Sequence, residues 1–380
     1  MQHSGERILT THVGSLPRPA DLLASDADRR KGGQGPDAAT VRRAVSDIVH
    51  KQVAVGLDVI NDGEMSKPSF ITYINERLGG FEIDADFPNQ SPWVGSREVA
   101  EFPDFYRPQL TNVHVAHSHF VCTGPVSYRG QDSVKADLDN LKAATAGAKV
   151  SDVFVPATSV SSIEDWNRNA FYKTDEEYVF ALAEAMREEY RAIVDAGFLV
   201  QVDDPHLLTR YVTHPEMSTE ACRNWVAMRV EAINHALRGI AKEKVRFHTC
   251  YGINFGPRVH DMEVKDIVDV LGRLKVGAFS FEAANPRHEH EWTVWRDAKL
   301  PEDTIMIPGM ITQSTVMVEH PELVAQRLGR WIDAFGRERV IAGTDCGFAS
   351  FAGNDEIHES IVWAKFRSLV EGARLAATRA

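Results

Sequence analysis

The chain is short of cysteine, with four in 380 residues: Cys122, Cys222, Cys250 and Cys346. So few in so long a chain do not make a disulfide framework, and a cytosolic setting would keep them as thiols. Long apolar runs are also missing. No stretch approaches the roughly 18–20 uninterrupted apolar residues of a membrane span. The N-terminus, Met1-Gln2-His3-Ser4-Gly5-Glu6-Arg7, lacks the basic-then-apolar layout of a secretory signal. Positive charge is the third shortage. Forty-two Lys+Arg stand against 54 Asp+Glu, a net charge of −12, which argues against non-specific binding to nucleic acid or anionic membranes. The expectation is a cytoplasmic protein with small-molecule partners, homo-oligomer formation being left open.

What remains is an ordinary globular composition, 43% hydrophobic and 25% charged. Short apolar runs recur, each ending in polar or Gly/Pro punctuation: Ile8–Val13, Leu57–Ile60, Phe120–Cys122, Val153–Val155, Phe198–Val202, Val245–Phe247, Ala278–Phe281, Thr304–Ile307 and Val340–Ala342. Helical periodicity fills the gaps, as in Asp175–Ala196, Thr40–Ala54 and Pro321–Phe335. Alternating strands and helices predict an α/β fold, and reactive residues at the strand ends favour a single (β/α)8 TIM-type barrel over an open sheet. Nine candidate strands are one more than such a barrel uses, so one lies outside it. The whole chain, 1–380, is read as one domain. Residues 83–105, with Pro88, Pro92 and Pro103, form an expected hairpin or loop excursion, and Asp26–Asp37 an expected flexible loop.

Three strand ends carry metal-ligand chemistry. His248 and Cys250 follow one strand, Glu282 ends the next and Cys346 follows the last. Alternate residues of a strand face one side, so His248 and Cys250 can share a centre. An imidazole, a carboxylate and two thiolates suit tetrahedral Zn²⁺. His288 and His290 are rival ligands, and a buried histidine with two core cysteines is the bland alternative. Cys122 and Cys222 read as packing residues. A second group is acidic: Asp62 and Glu64 after one strand, Asp203 and Asp204 after another. These carboxylates suit an ammonium group or acid–base work, with turn formation and helix capping as the competing reading. A third group is cationic. Arg18, Arg258 and Arg287 lie near strand ends and suit an anionic substrate tail, and Trp166 is a stacking candidate.

Together these residues resemble the catalytic barrel of the cobalamin-independent methionine synthase superfamily. The carrying motifs are Thr11-His12-Val13-Gly14-Ser15-Leu16-Pro17, Asp62-Gly63-Glu64, Val202-Asp203-Asp204-Pro205, His248-Thr249-Cys250, Phe281-Glu282 and Asp345-Cys346-Gly347. The resemblance implies a zinc-dependent barrel that alkylates a thiol, with His248, Cys250, Glu282 and Cys346 as ligands. It also brings Ser15 into the substrate site. Within the superfamily, Cys122–Tyr128, Phe281–His290 and Ala342–Phe348 are closer in wording to epoxyalkane:coenzyme M transferase. Core methionine synthases carry an Asp and a His after the Pro-Gly strand, where this chain has Thr312-Gln313-Ser314.

The expected chemistry is zinc-dependent alkyl transfer to a small thiol acceptor from a small alkyl donor, an epoxide among the donors considered. Zinc deprotonates a bound thiol, and a centre rich in anionic ligands leaves the thiolate nucleophilic. The acceptor is expected to carry an anionic tail held by an arginine, Arg18 first. Glu64, Asp203, His12 and Tyr73 are the catalytic candidates, with His206 a further acid. Methyltetrahydrofolate–homocysteine methyl transfer is the alternative. A metal-free barrel lyase or decarboxylase, or a zinc-storing protein, represents another class.

Overall fold

Ten strands are assigned in this computed structural model, which describes residues 1–30, 35–84, 93–111, 119–252, 255–353 and 357–379. They are β1 (Val59–Ile60), β2 (Leu78–Ile83), β3 (Phe120–Tyr128), β4 (Asp152–Thr158), β5 (Asn167–Asn169), β6 (Leu199–Asp203), β7 (Val245–Thr249), β8 (Ala278–Phe281), β9 (Ile305–Ile311) and β10 (Gly343–Thr344). Seven of them form one parallel sheet in the order β1-β4-β6-β7-β8-β9-β10. The extended segment around Thr10 occupies the eighth position and closes the sheet. On one side Thr11 N donates to Ala342 O at 2.9 Å and Ala342 N to Leu9 O at 2.8 Å; on the other, Val59 N donates to Thr10 O at 3.0 Å. The α/β fold is therefore a TIM-type barrel, as the strand count predicts.

The surplus strand is β3. It pairs antiparallel with β2 and parallel with β5 in a separate three-stranded sheet. The sequence shows only its first three residues as apolar, because the remainder alternates between exposed and covered positions. Part of the 83–105 stretch lies outside the described residues; the described part ends β2 and includes the helix Arg97–Glu101, capped by Ser96. The expected loop at 26–37 needs correction in its first part, while residues 31–34 lie outside the described residues. Asp26–Arg30 is the last part of a helix, Ala20–Arg30, and Asp26 pairs with Arg29 one turn on.

The three periodic segments are helices, and their ends follow from capping. Ala38–Val55 starts at Asp37, whose side chain accepts from Thr40 N, and stops at Gly56 with φ +93°. Asp175–Asp195 starts at Thr174, carries Asp175, Glu176 and Glu177 in its first turn, and buries Tyr178, Leu182, Met186, Tyr190 and Ile193. Pro321–Phe335 has proline in its first turn.

Inside the barrel, side chains of one parity form layers. Pro156, Gln201, Arg246 and Ala278 are register partners in one row, and Thr158, Asp203, His248 and Ser280 in the row above. Arg246 is buried in the lower row. Its guanidinium lies 3.9 Å from the Phe154 ring centroid and donates to Thr11 Oγ1 at 3.1 Å and His12 O at 2.9 Å. The upper row opens onto the C-terminal strand ends, the face where barrel sites are built. No helix among the described residues is long and apolar enough to cross a membrane.

Candidate metal and acceptor site

His248 points into the barrel from β7, and Cys250 follows two residues on, past the strand's end. Cys346 reaches the same place from the loop after β10. One ligand atom from each lies within 4.8 Å of the others, and all three residues are buried. The sulfurs of Cys250 and Cys346 are 3.5 Å apart. That is far beyond the roughly 2.05 Å of a disulfide and close to the ~3.8 Å between two thiolates on one tetrahedral zinc ion.

The electrostatics fit a metal as well. Neither His248 nitrogen has a hydrogen-bond partner among the described residues, and burial, helped by Arg246, lowers its pKa to about 3. The imidazole is therefore neutral, the form that binds metal. The Cys250 thiol is raised well above its ordinary value by its hydrogen bond with Cys346, by burial, and by the nearby negative charges of Cys346, Glu282 and Asp203. Two thiolates in this place require a cation.

Glu282 is not in that group of three, and its oxygens are hydrogen-bonded. Its Oε1 accepts from Tyr251 N at 2.9 Å, and its Oε2 from Arg258 Nη1 at 2.8 Å and Asn285 Nδ2 at 2.5 Å. The structure therefore assembles three of the four expected ligands and pairs the fourth with an arginine. The rival His288 is likewise engaged, between Asp261 at 2.9 Å and Glu291 at 3.1 Å, while its ring stacks on Tyr251. His290 is exposed.

Beside the thiols lie two carboxylates with no hydrogen-bond donor among the described residues. Asp203 Oδ1 is 3.8 Å from His248 Nε2. Burial pushes its pKa well above the usual range, and the charges of Glu64 and Asp204 add to the effect. Glu64 is buried with Oε2 unpartnered; burial raises its pKa while Lys67 and Arg18 oppose the rise. A side chain at Gly14 would meet Pro156 at 2.8 Å and Glu64 Oε1 at 3.4 Å, so the loop before Ser15 runs along the Glu64 carboxylate. Ser15 Oγ is packed against Gly347, next to Cys346.

The neighbouring acids do structural work. Asp62 Oδ1 accepts from Glu64 N at 2.9 Å, an Asx turn. Asp204 Oδ1 accepts from His206 N and Leu207 N at the start of the helix His206–Thr213, and Ser161 donates to its other oxygen.

The arginines are not arranged as an anion clamp. Arg18 is buried and donates to the carbonyls of Ala349, Glu64 and Lys67 at 2.6–3.0 Å. Arg258 binds Glu282 and Gly252 O, and Arg287 is exposed, reaching Val259 O. The candidate acids are similarly committed. His12 Nε2 lies 2.8 Å from Gln52 Oε1, and burial takes its pKa to about 3. The Tyr73 hydroxyl donates to Glu189 Oε1 at 2.8 Å and accepts from Thr158 N at 3.1 Å. His206 sits between Ser162 and the Trp166 indole N–H. Trp166 is half-buried and also stacks near His119 and Phe351.

Comparison with known proteins fixes the family. The family model described as "Cobalamin-independent synthase, Catalytic domain" matches residues 8–115 and 135–365. The chain belongs to the cobalamin-independent methionine synthase family. A methionine synthase from Sulfurisphaera tokodaii is 26% identical over 373 residues, covering 96% of this chain and 91% of the relative. One from Thermococcus kodakarensis is 24% identical over 370 residues, 96% of this chain and 92% of the relative. Among solved structures, the B12-independent methionine synthase from Shewanella sp. W3-18-1, in complex with selenomethionine, superposes with a TM-score of 0.71 at 18% identity, covering 98% of each chain. A putative vitamin-B12 independent methionine synthase from Listeria monocytogenes gives 0.66 at 19% identity, covering 97% of this chain and 98% of that one.

The stretch after β9 is held by bonds of its own. Thr312 and Ser314 bond each other through their hydroxyls at 2.6 Å, and Thr312 N donates to Glu319 Oε1 at 2.8 Å. Between them Gln313 is buried, and neither of its amide atoms has a partner among the described residues. Sequence reasoning passed over two further groups at the mouth. Asp345 accepts from Ala283 N and Ala284 N at 2.7–2.8 Å, which ties the end of β8 to the Cys346 loop. Glu98 accepts from Arg258 N and His260 N at 3.2 and 2.9 Å. A glutamate on a short helix far along the chain gives no local sign of that contact.

Proposed function

We propose that this protein methylates the thiol of a small amino acid of the homocysteine kind, the activity named for its archaeal relatives, with His248, Cys250 and Cys346 holding a zinc ion. The observation that carries the reading is the pair Glu64 and Asp203. Two buried carboxylates without a hydrogen-bond donor among the described residues, only partly offset by Lys67, Arg18 and Arg246, favour a cationic partner beside the proposed thiol site. An acceptor with an ammonium group supplies one, and a sulfonate-tailed thiol would face two like charges instead.

Zinc at this centre would supply the acceptor as a thiolate at neutral pH, where a free thiol is mostly protonated. The chain's own residues do the rest. Asp203 and Glu64 hold the ammonium group and so fix the acceptor's reach towards Cys250 and Cys346. The Ser15 hydroxyl, beside Gly347, faces the acceptor's carboxylate. Thr158 and Ser280, in the row of His248, line the space with hydroxyls, and the barrel wall keeps bulk water off the nucleophile. Trp166 and Phe351 offer flat apolar surface for the donor. The anionic-tail expectation is thus replaced by a cationic one, because the three arginines that motivated it are bound to protein groups. Turnover of homocysteine with methyltetrahydrofolate, mono- and polyglutamylated, tests this reading. Methionine formation supports it, and product from an epoxide with coenzyme M alone would overturn it.

A further inference from the structure

Four aromatic rings at the barrel mouth form a closed circuit. Phe70 lies 5.7 Å from Phe351 between ring centroids, edge to face, and Phe351 lies 6.0 Å from Trp166. The Trp166 indole N–H donates to His206 Nε2 at 3.1 Å, and the His206 ring stacks on Phe70 at 6.5 Å. Each ring comes from a different strand end. Phe70 follows β1, and Trp166 ends the helix Val160–Trp166 after β4. His206 opens the helix His206–Thr213 after β6, and Phe351 follows Cys346 by five residues. An antiparallel bridge between Ser69 and Phe351 ties the first and last of these segments together. Beside it Phe70 N donates to Ser350 O at 3.1 Å and Ala352 N to Pro68 O at 2.8 Å. Phe70 and Trp166 are half-buried, so the circuit is built into the wall and still meets solvent.

The four rings carry no positive charge. His206 Nε2 accepts from the indole, which places the imidazole proton on Nδ1, towards Ser162 Oγ at 2.9 Å. Asp165 lies 3.5 Å from His206 Nε2 and holds Arg210 at 2.6 Å. Aromatic rings grouped in this way recognise alkylated cations through their quadrupoles. Leaving-group chemistry favours the same ligand. Demethylating a neutral tertiary amine requires a proton for the departing nitrogen, which a general acid supplies. The candidate acids are committed, His12 to Gln52, Tyr73 to Glu189 and His206 to Ser162, and Thr312 bonds Ser314. We propose that the methyl donor is an onium compound, a sulfonium or quaternary ammonium, with Phe70, Trp166, His206 and Phe351 around its cationic centre. The inference rests on the reading of the protein as a thiol methyltransferase and concerns the donor alone. The acceptor's thiol proton goes to solvent, and the electron pair of the resulting thiolate forms the new S–CH3 bond. The donor's own S–CH3 or N–CH3 bond breaks with its pair kept by the donor atom, which leaves as a neutral thioether or amine. No acid and no oxidant enter the step.

The test uses the full zinc-loaded chain. Methionine fills the acceptor end, so that Asp203 and Glu64 are already occupied. Choline is then titrated by calorimetry beside 3,3-dimethylbutanol, its uncharged carbon analogue. Choline is expected to bind about tenfold tighter, the scale of a desolvated cation–π contact. Trp166→Leu and Phe70→Leu should each bring the two ligands to within about threefold of one another. Phe70→Tyr, which keeps a ring, should restore the difference. Rings with a structural role alone would weaken both ligands alike. Turnover of homocysteine is compared with trimethylsulfonium, tetramethylammonium and methyltetrahydrofolate. Release of dimethyl sulfide or of trimethylamine shows which onium atom serves, and at least one onium donor should match or exceed methyltetrahydrofolate in kcat/KM.

Equal binding of choline and its carbon analogue overturns the proposal, and so does a preference that survives both Leu variants. If Trp166→Leu does not fold, Phe70→Leu decides. A higher kcat/KM with methyltetrahydrofolate, or no methionine from either onium donor, also overturns it. Methionine from methyltetrahydrofolate in that case leaves thiol methylation standing. Product from an epoxide with coenzyme M alone would sink both.

Discussion

Asp203 Oδ1 stands 3.8 Å from His248 Nε2, the two residues being register partners on neighbouring barrel strands. A carboxylate and an imidazole whose nitrogens have no hydrogen-bond partner among the described residues therefore share one row of the interior. Under the proposed function, this arrangement would set the ammonium group of an acceptor beside the place where its sulfur is activated. Strand register fixes the separation, which makes it insensitive to loop motion.

Replacing either thiol by a hydroxyl should empty the centre. Elemental analysis is expected to give about one zinc per native chain, the stoichiometry of a single tetrahedral site. Cys250→Ser and Cys346→Ser should each retain little of it. Full zinc in both variants would move the ligands elsewhere, to His290 for instance, and full turnover without metal would bring back the metal-free lyase.

The two carboxylates should act through the acceptor's charge. Asp203→Asn and Glu64→Gln each remove a charged hydrogen bond worth about 1.5–3 kcal/mol, so acceptor binding should weaken roughly ten- to hundredfold. A thiol lacking the ammonium group should bind native and variant proteins alike. Equal losses for both thiols, measured by titration, would assign these residues a purely structural role.

Tyr73→Phe separates a general acid from a structural hydroxyl. Its bonds to Glu189 and Thr158 N belong to a buried network in which Arg77 also binds Glu189 and Asp137. Losing them should cost about 1–3 kcal/mol in urea unfolding and leave turnover nearly unchanged. A drop in turnover of roughly 10²–10⁴, the usual share of a general acid, would restore Tyr73 to the mechanism.

His288 should make stability depend on alkaline pH. Burial opposes its charging, but hydrogen bonds to Asp261 and Glu291, and their charges, outweigh that and raise its pKa from 6.5 to about 9. The imidazolium is favoured by folding, so its contribution is complete below pH 6.5 and disappears as pH rises through about 9. The linkage is worth roughly 3 kcal/mol. Urea unfolding of the native chain and His288→Gln should show that advantage at pH 6 and little of it near pH 9.5. A difference that does not change with pH would mean that His288 is neutral in the folded protein.

Much of this was legible in the sequence because strand geometry is periodic. His248 and Cys250 share a face by simple alternation, and Cys346 follows the last apolar run, so the three positions could be read before any fold was seen. The barrel itself followed from the repeated strand–helix alternation. Glu282 was less transparent. A carboxylate ending an apolar strand looks the same whether it meets a metal or an arginine, and Arg258 reaches it from a loop held by Glu98, a long-range contact without local signature. Asp62 and Asp204 read equally as substrate ligands or as caps, and only their hydrogen bonds to Glu64 N, His206 N and Leu207 N decided for the latter. The arginines misled because proximity to a strand end says nothing about which partner a guanidinium finds.

The central claim is that the site selects a thiol bearing an ammonium group. Titrating the cobalt-loaded protein with homocysteine and with 2-mercaptoethanesulfonate, and following the sulfur-to-cobalt absorption, tests it most directly. The account predicts that homocysteine saturates the site at a concentration at least ~10-fold lower, the preference expected from one charged hydrogen bond. Tighter binding of the sulfonate would contradict it.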